Sequence, residues 1–184
     1  MQIIVKNKDT LLCDDFKFKC CVGKKGIRKR KKEGDYSTPK GTYSLGKLYY
    51  RSDRIAKPVS KLSKKIIKKS LGWCDDPTSR FYNQEITINK KKKIKFEKLY
   101  RNDSKYNILI VINYNTKKII KNKGSAIFLH LTKNYSPTRG CVALKKKDML
   151  ILCKIINKNS KIKITWVFCQ KYQIQFLKKK IDIL

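Results

Sequence analysis

Ala126-Ile127-Phe128-Leu129-His130 and Thr138-Arg139-Gly140-Cys141-Val142-Ala143-Leu144 are the two stretches around which the chain is organised. The first is an apolar run that reads as a buried strand and ends in the protein's single histidine. Eleven residues later comes a cysteine, preceded by glycine and followed by a second apolar run. A thiol attacks only as thiolate, and a free cysteine with a pKa of about 8.5 is mostly protonated at neutral pH. An imidazole within hydrogen-bond reach can take that proton. Gly140 places no side chain beside an attacked carbonyl, so its N–H and that of Cys141 are candidates to face a developing oxyanion. A histidine at a strand end also serves as a hydrogen-bonded structural residue, and the spacing alone leaves both readings open.

The chain has 184 residues, 41% of them hydrophobic, which suits one domain with a real core and is short for two. No apolar run approaches the roughly 18 residues of a membrane span, so no transmembrane segment is expected. The start, Met1-Gln2-Ile3-Ile4-Val5-Lys6, lacks the basic and long apolar regions of a secretory signal. Charge is extreme, with 47 basic against 13 acidic residues and a net charge of +34. Such a surface attracts any acidic polymer. Yet only seven of the 47 are arginine, the residue that bidentate phosphate and base recognition favours. The lysines therefore read as a solvated shell, and no specific nucleic-acid partner is expected. The seven cysteines show no C-x-x-C and no repeated ligand spacing, and with one histidine they argue against a metal or other cofactor. Cys13, Cys153 and Cys169 sit in or beside apolar runs and read as small core residues.

Taken in order, residues 2–22 read as a meander of short strands (Ile3–Val5, Thr10–Cys13, Phe16–Val22). Gly23–Lys32 reads as an exposed basic loop. Thr38-Pro39-Lys40-Gly41 is a tight turn that launches a strand over Thr42–Leu48. Lys61–Leu71 has the apolar spacing of a short helix, and Phe96–Arg101 that of one or two helical turns. Between them, Gly72–Pro77 and Arg80–Asn83 form a turn-rich segment of aromatic, acidic and amide groups, either a binding surface or a small packed insertion. Asn89–Lys95 is a basic, solvated run. Ile108–Tyr114 is a buried-type strand, Asn115–Gly124 a hairpin-like connection, Met149–Ile156 a helix and Ile162–Val167 a last strand. Ile174, Leu177 and Ile181 lie at helical spacing in a tail that is otherwise a further strand. The organisation is one mainly β domain, 1–184, with N-terminal strands (1–22), a core (23–166) and a C-terminal extension (167–184).

Three stretches together resemble the L,D-transpeptidase catalytic domain, the YkuD-type family of peptidoglycan enzymes. They are Ser37-Thr38-Pro39-Lys40-Gly41-Thr42-Tyr43, Ile127-Phe128-Leu129-His130, and Thr138-x-Gly140-Cys141-Val142. The resemblance covers roughly residues 23–166 and implies a β-sandwich or barrel-like fold with one or two short helices. It implies that Cys141 attacks the carbonyl of an L-centred residue in a peptidoglycan stem peptide and expels the terminal D-amino acid. An amine of a second stem then resolves the thioester. His130 would be base and then acid, oriented by the carbonyl of Leu131, with Gly140 and Cys141 N–H groups in the oxyanion role. Trp73, Asp76, Tyr82, Asn83, Thr138 and Arg139 are candidates for binding the substrate.

By the same resemblance, carbapenems would acylate the cysteine, the cell envelope or periplasm would be the location, and a monomer is expected. Two positions depart from many relatives: Leu131 stands where glycine follows the histidine, and Ala143 where an arginine lies two residues after the cysteine. Arg139 is the candidate substitute for that arginine. The alternatives are an L,D-carboxypeptidase, in which water resolves the thioester, and an inactive basic protein that binds wall polymer or nucleic acid.

Overall fold

In the computed structural model, residues 1–89 and 94–166 are described. The first half contributes β1 (Gln2–Lys6), β2 (Thr10–Cys13), β3 (Phe16–Cys21), β4 (Ile27–Arg28), β5 (Thr38–Pro39), β6 (Gly41–Tyr50), β7 (Lys64–Ile66), β8 (Leu71–Cys74) and β9 (Glu85–Thr87). The second contributes β10 (Phe96–Lys98), β11 (Ile108–Ile112), β12 (Phe128–Leu131), β13 (Val142–Leu144), α1 (Lys146–Ile155) and β14 (Lys161–Thr165). Nine strands form one sheet in the order β11-β12-β13-β3-β2-β1-β14-β6-β7. Because β11 also pairs with β6, the sheet closes on itself as a barrel-like ring. Strands β10, β8 and β9 form a second, small sheet.

Side-chain alternation along the strands explains why their sequences are so apolar. Ile108, Ile110, Ile112, Leu129, Leu131, Val142 and Leu144 point into the barrel and meet Ile3, Val5, Leu11, Ile162 and Ile164. Met149, Leu152 and Cys153 of α1 close that same core. Leu109, Val111, Phe128 and Cys141 point the other way, into a second cluster with Tyr49, Ile67, Leu71, Trp73, Leu99 and Tyr106. Strands buried on both faces lose the polar half of their pattern, and every residue of β11, β12 and β13 is buried.

The N-terminal meander and the Thr42–Leu48 strand form within a residue or two of expectation, and the expected Met149–Ile156 helix starts three residues earlier, spanning Lys146–Ile155. Four segments differ. Lys61–Leu71 is no helix: Lys64–Ile66 pairs in parallel with Leu48–Tyr50, while Leu62 joins the barrel core and Ile67 and Leu71 the second cluster. An apolar spacing that serves two cores cannot be one helical face. Phe96–Lys98 is a strand against β8, and Leu71–Cys74 is that sheet's buried central strand, so the turn begins only at Asp75. Gly23–Lys32 is not wholly exposed, because Ile27 enters the core and Lys31 is buried. The tail 167–184, including Cys169, lies outside the described residues, as does part of the basic run Asn89–Lys95.

Candidate active site

Parallel pairing of β12 with β13 places the two chemical residues. Leu129 lies opposite Val142 and His130 opposite Ala143, so Cys141 follows in register beside Phe128. Residues that alternate along a strand share a face, so Cys141, Phe128, Ala143 and His130 all face the second cluster. Cys141 is 7% exposed and His130 6%.

The loop from β12 to β13 is held so that Cys141 returns to this position. Thr138 N–H donates to the Val22 carbonyl, and Lys24 N–H donates to that of Thr138. Two threonine hydroxyls then converge on the carbonyl of Cys141, Thr138 at 2.7 Å and Thr38 at 3.4 Å. Thr38 also accepts the Gly23 N–H at 2.8 Å. The threonine of the Thr-Pro-x-Gly turn therefore supports the backbone of the cysteine directly. The Gly140 N–H is engaged as well, donating to Thr138 Oγ1 at 3.0 Å.

His130 Nδ1 lies 2.9 Å from the carbonyl oxygen of Leu131. A carbonyl only accepts, so Nδ1 carries the hydrogen and the neutral ring keeps its lone pair on Nε2. Burial pushes the imidazole down to about 4, the Leu131 carbonyl pulls the other way, and the positive charges of Lys105 and Arg101 add to the depression. Tyr106 packs edge-on against the ring with centroids 5.3 Å apart.

The thiol of Cys141 donates to the Ala126 carbonyl at 3.3 Å, and its sulfur accepts the Phe128 N–H at 3.4 Å. Burial pushes it up to about 12; the negative charge of Glu97 adds to this, whereas the Phe128 N–H and Lys31 favour the thiolate. At rest the thiol and the imidazole are thus both neutral. Glu97, on β10, accepts the Tyr106 hydroxyl, and burial raises its own carboxyl. Among the described residues, no group of three or more histidine, cysteine, aspartate or glutamate side chains is placed to hold a metal.

The chain matches the L,D-transpeptidase catalytic domain (YkuD) over residues 2–164. It belongs to that family. Two solved structures of the helical cell shape determining protein Pgp2 from Campylobacter jejuni, one of them a point mutant, share the YkuD architecture. The first has a TM-score of 0.51 at 15% identity and covers 91% of this chain and 48% of its own. The mutant has a TM-score of 0.50 at 16% identity, covering 96% and 51%. This chain therefore spans about half the length of Pgp2, and at that identity the likeness is one of fold. Among curated proteins, none matches the chain.

Within this YkuD domain, the other residues singled out from sequence divide by what they touch. Asn83 Oδ1 accepts the Ala126 N–H and the Trp73 indole N–H, both at 3.0 Å, and its Nδ2 donates to the carbonyls of Tyr114 and Asn115. The Tyr82 hydroxyl donates to Glu33 and accepts the Gly124 N–H at 3.0 Å. Trp73 packs edge-on to Phe128. These three are buried braces of the 124–128 segment that bonds the thiol, with their polar atoms engaged by protein groups. Asp76 accepts the N–H and hydroxyl of Thr78 and the N–H of Lys95, and so ties its own turn. Arg139 is exposed, and its charge acts on Glu97.

Ala143 is fully buried opposite His130, so this chain keeps no cation at the position where many YkuD relatives carry arginine. Lys31, Glu97 and Tyr106 join the site without a local signal that marks them, whereas Thr38 and Ala126 lie in stretches already singled out.

Proposed function

We propose that this protein is a peptidoglycan L,D-transpeptidase with Cys141 as nucleophile. The thiol proton passes to Nε2 of His130 as sulfur attacks the carbonyl of an L-centred diaminopimelate in a stem peptide. The C–N bond to the terminal D-amino acid breaks, and the imidazolium returns the proton to the leaving amine. The resulting thioester is then attacked by an amine of a second stem, which loses its proton to His130 as the thiol re-forms and the cross-link is made. The observation that carries this reading is the Nδ1–H bond to Leu131, which leaves an unprotonated nitrogen on the ring that shares a face of the sheet with Cys141. The Gly140–Cys141 backbone is the segment beside the developing oxyanion. Because the Gly140 N–H is engaged by Thr138, the N–H of Cys141 leads in that role. Substrate and reaction then belong to the cell envelope.

Purified protein incubated with muropeptide tetrapeptides and weighed by mass spectrometry should give a cross-linked dimer and free D-amino acid. Tripeptide without dimer would assign resolution to water and make the enzyme an L,D-carboxypeptidase. A carbapenem should add its mass to the wild type and not to Cys141→Ala. Absence of the wild-type adduct, or labelling of the variant, would remove Cys141 as nucleophile.

A further inference from the structure

Among the described residues Lys31 and Arg51 are the buried cations, and Lys31, 5% exposed, sits in a loop where its neighbours Lys29, Arg30 and Lys32 are exposed. Its aliphatic stem lies across Gly124, where a Cβ would stand 2.8 Å from Lys31 Cε and 3.1 Å from Cδ. Only glycine leaves that path open. The stem ends with Nζ 3.7 Å from where a Cβ on Gly140 would stand, so the ammonium reaches the turn that carries the nucleophile. Asp35 fixes it there at 2.8 Å, and the same carboxylate is itself anchored by the N–H groups of Lys32 and Ser37. Burial alone would raise the Asp35 carboxyl, but the ammonium and those N–H groups outweigh it and hold it at about 2. Lys31 also directly favours the thiolate form of Cys141.

We propose that Lys31 is a positioning residue for the nucleophile, a buried ammonium that stabilises the negative charge appearing at sulfur when Cys141 is deprotonated, with Asp35 setting its strength. It comes from the loop between β4 and β5, far from Cys141 in the sequence. This rests on the assignment of Cys141 as the reacting thiol. The groups whose charges act on that thiol are Glu97 from β10, Tyr106 from the segment before β11, Cys21 from β3 and Lys31 from the β4–β5 loop, and His130 of β12 shares its face of the sheet. Lys31 is the cation among them, opposed by Glu97. An ammonium paired to a carboxylate exerts a muted field, so the two partners of the pair should act on the thiol with opposite sign.

The test is the rate of iodoacetamide alkylation at Cys141, followed by peptide mass at several pH values without substrate. It therefore reads thiol ionisation even if the stem-peptide reaction is assigned wrongly. Lys31→Gln should slow alkylation at fixed pH about tenfold, the equivalent of one pKa unit. Lys31→Arg should stay close to wild type, and Asp35→Asn should accelerate it. Continued protection of Cys13 and Cys153, both buried in the barrel core, reports that each variant is folded. Slowing by both Lys31→Gln and Asp35→Asn would show a merely structural ion pair and overturn the proposal. An unchanged rate in folded Lys31→Gln would do the same. If Lys31→Gln does not fold, the sign of the Asp35→Asn effect decides.

Discussion

Cys141 Sγ lies 3.3 Å from the carbonyl oxygen of Ala126 and donates its hydrogen there. A thiolate cannot donate, so ionisation forfeits this bond in addition to the cost of burying a charge. Burial and then Glu97 hold the thiol near 12. Alkylation of Cys141 in the free protein should therefore climb with every step from about pH 6 to 9 and show no plateau. A plateau beginning near neutrality would reveal a preformed thiolate–imidazolium pair instead. Peptide mass after timed iodoacetamide exposure separates the two.

His130 titrates near 4 when folded because burial penalises its charge, whereas the unfolded ring keeps the ordinary 6.5. The unfolded chain thus binds the proton first. The contribution is fully present above the unfolded value and is lost as pH falls from about 6.5 to about 4. Its full size is roughly 3 kcal/mol. Urea unfolding at about pH 7 and about pH 4.5 should show a clear fall in wild-type stability. His130→Gln, whose amide can still donate to Leu131, should show a much smaller fall. Equal falls in the two proteins would mean that the ring is already charged in the folded state.

What was legible from sequence followed from burial. Ile108–Ile112 and Phe128–Leu131 read as strands because both of their faces are covered, and the barrel and the second cluster cover them. Cys141 and His130 stood out because the histidine is unique and the glycine–cysteine turn has a chemical reason. Lys61–Leu71 misled, because its apolar residues are shared between two cores. Lys31 had no local mark among so many lysines, and its role depends on Gly124 and Gly140, about 90 and 110 residues away in the sequence. Glu97 reaches the site because β10 pairs with β8 beside Trp73, and Tyr106 because it packs against Phe128 and His130. Asn83 was singled out for the cleft, and its bonds show a brace, a distinction that only three-dimensional partners can draw.

That brace can be broken. Ala126 sits in the left-handed region at φ 52°, an uncommon conformation for a residue with a Cβ, and its N–H is held by Asn83. The same residue then offers its carbonyl to the thiol. Asn83→Leu would leave the Ala126 N–H, the Trp73 indole N–H and the carbonyls of Tyr114 and Asn115 without their partner. Two or more buried groups left unsatisfied should cost about 3 kcal/mol or more. Thermal unfolding should show the loss, and Ala126 released from its conformation should free the thiol. Faster alkylation of Cys141 in the folded fraction is therefore expected, while Cys153 stays protected. A stable variant with wild-type alkylation would show that Ala126 holds itself in place.

Gly140 is the position where one methyl group should separate folding from chemistry. Its φ of +141° is one that residues with a Cβ rarely adopt, and a Cβ there would meet the Ser37 carbonyl oxygen at 2.8 Å. Both the strain and the clash fall on the turn that carries Cys141, the Thr138 hydroxyl and the end of the Lys31 side chain. The barrel does not depend on that turn for its core. Gly140→Ala should thus lower stability by about 1–3 kcal/mol and leave the protein folded. The carbapenem adduct should nevertheless fall by about a hundredfold or more in rate, because a displacement of about 1 Å at a reacting centre has that consequence. Thermal unfolding and intact-mass kinetics on the same sample measure both effects. Retention of wild-type acylation in the folded variant would place the reacting carbonyl away from the Gly140–Cys141 peptide.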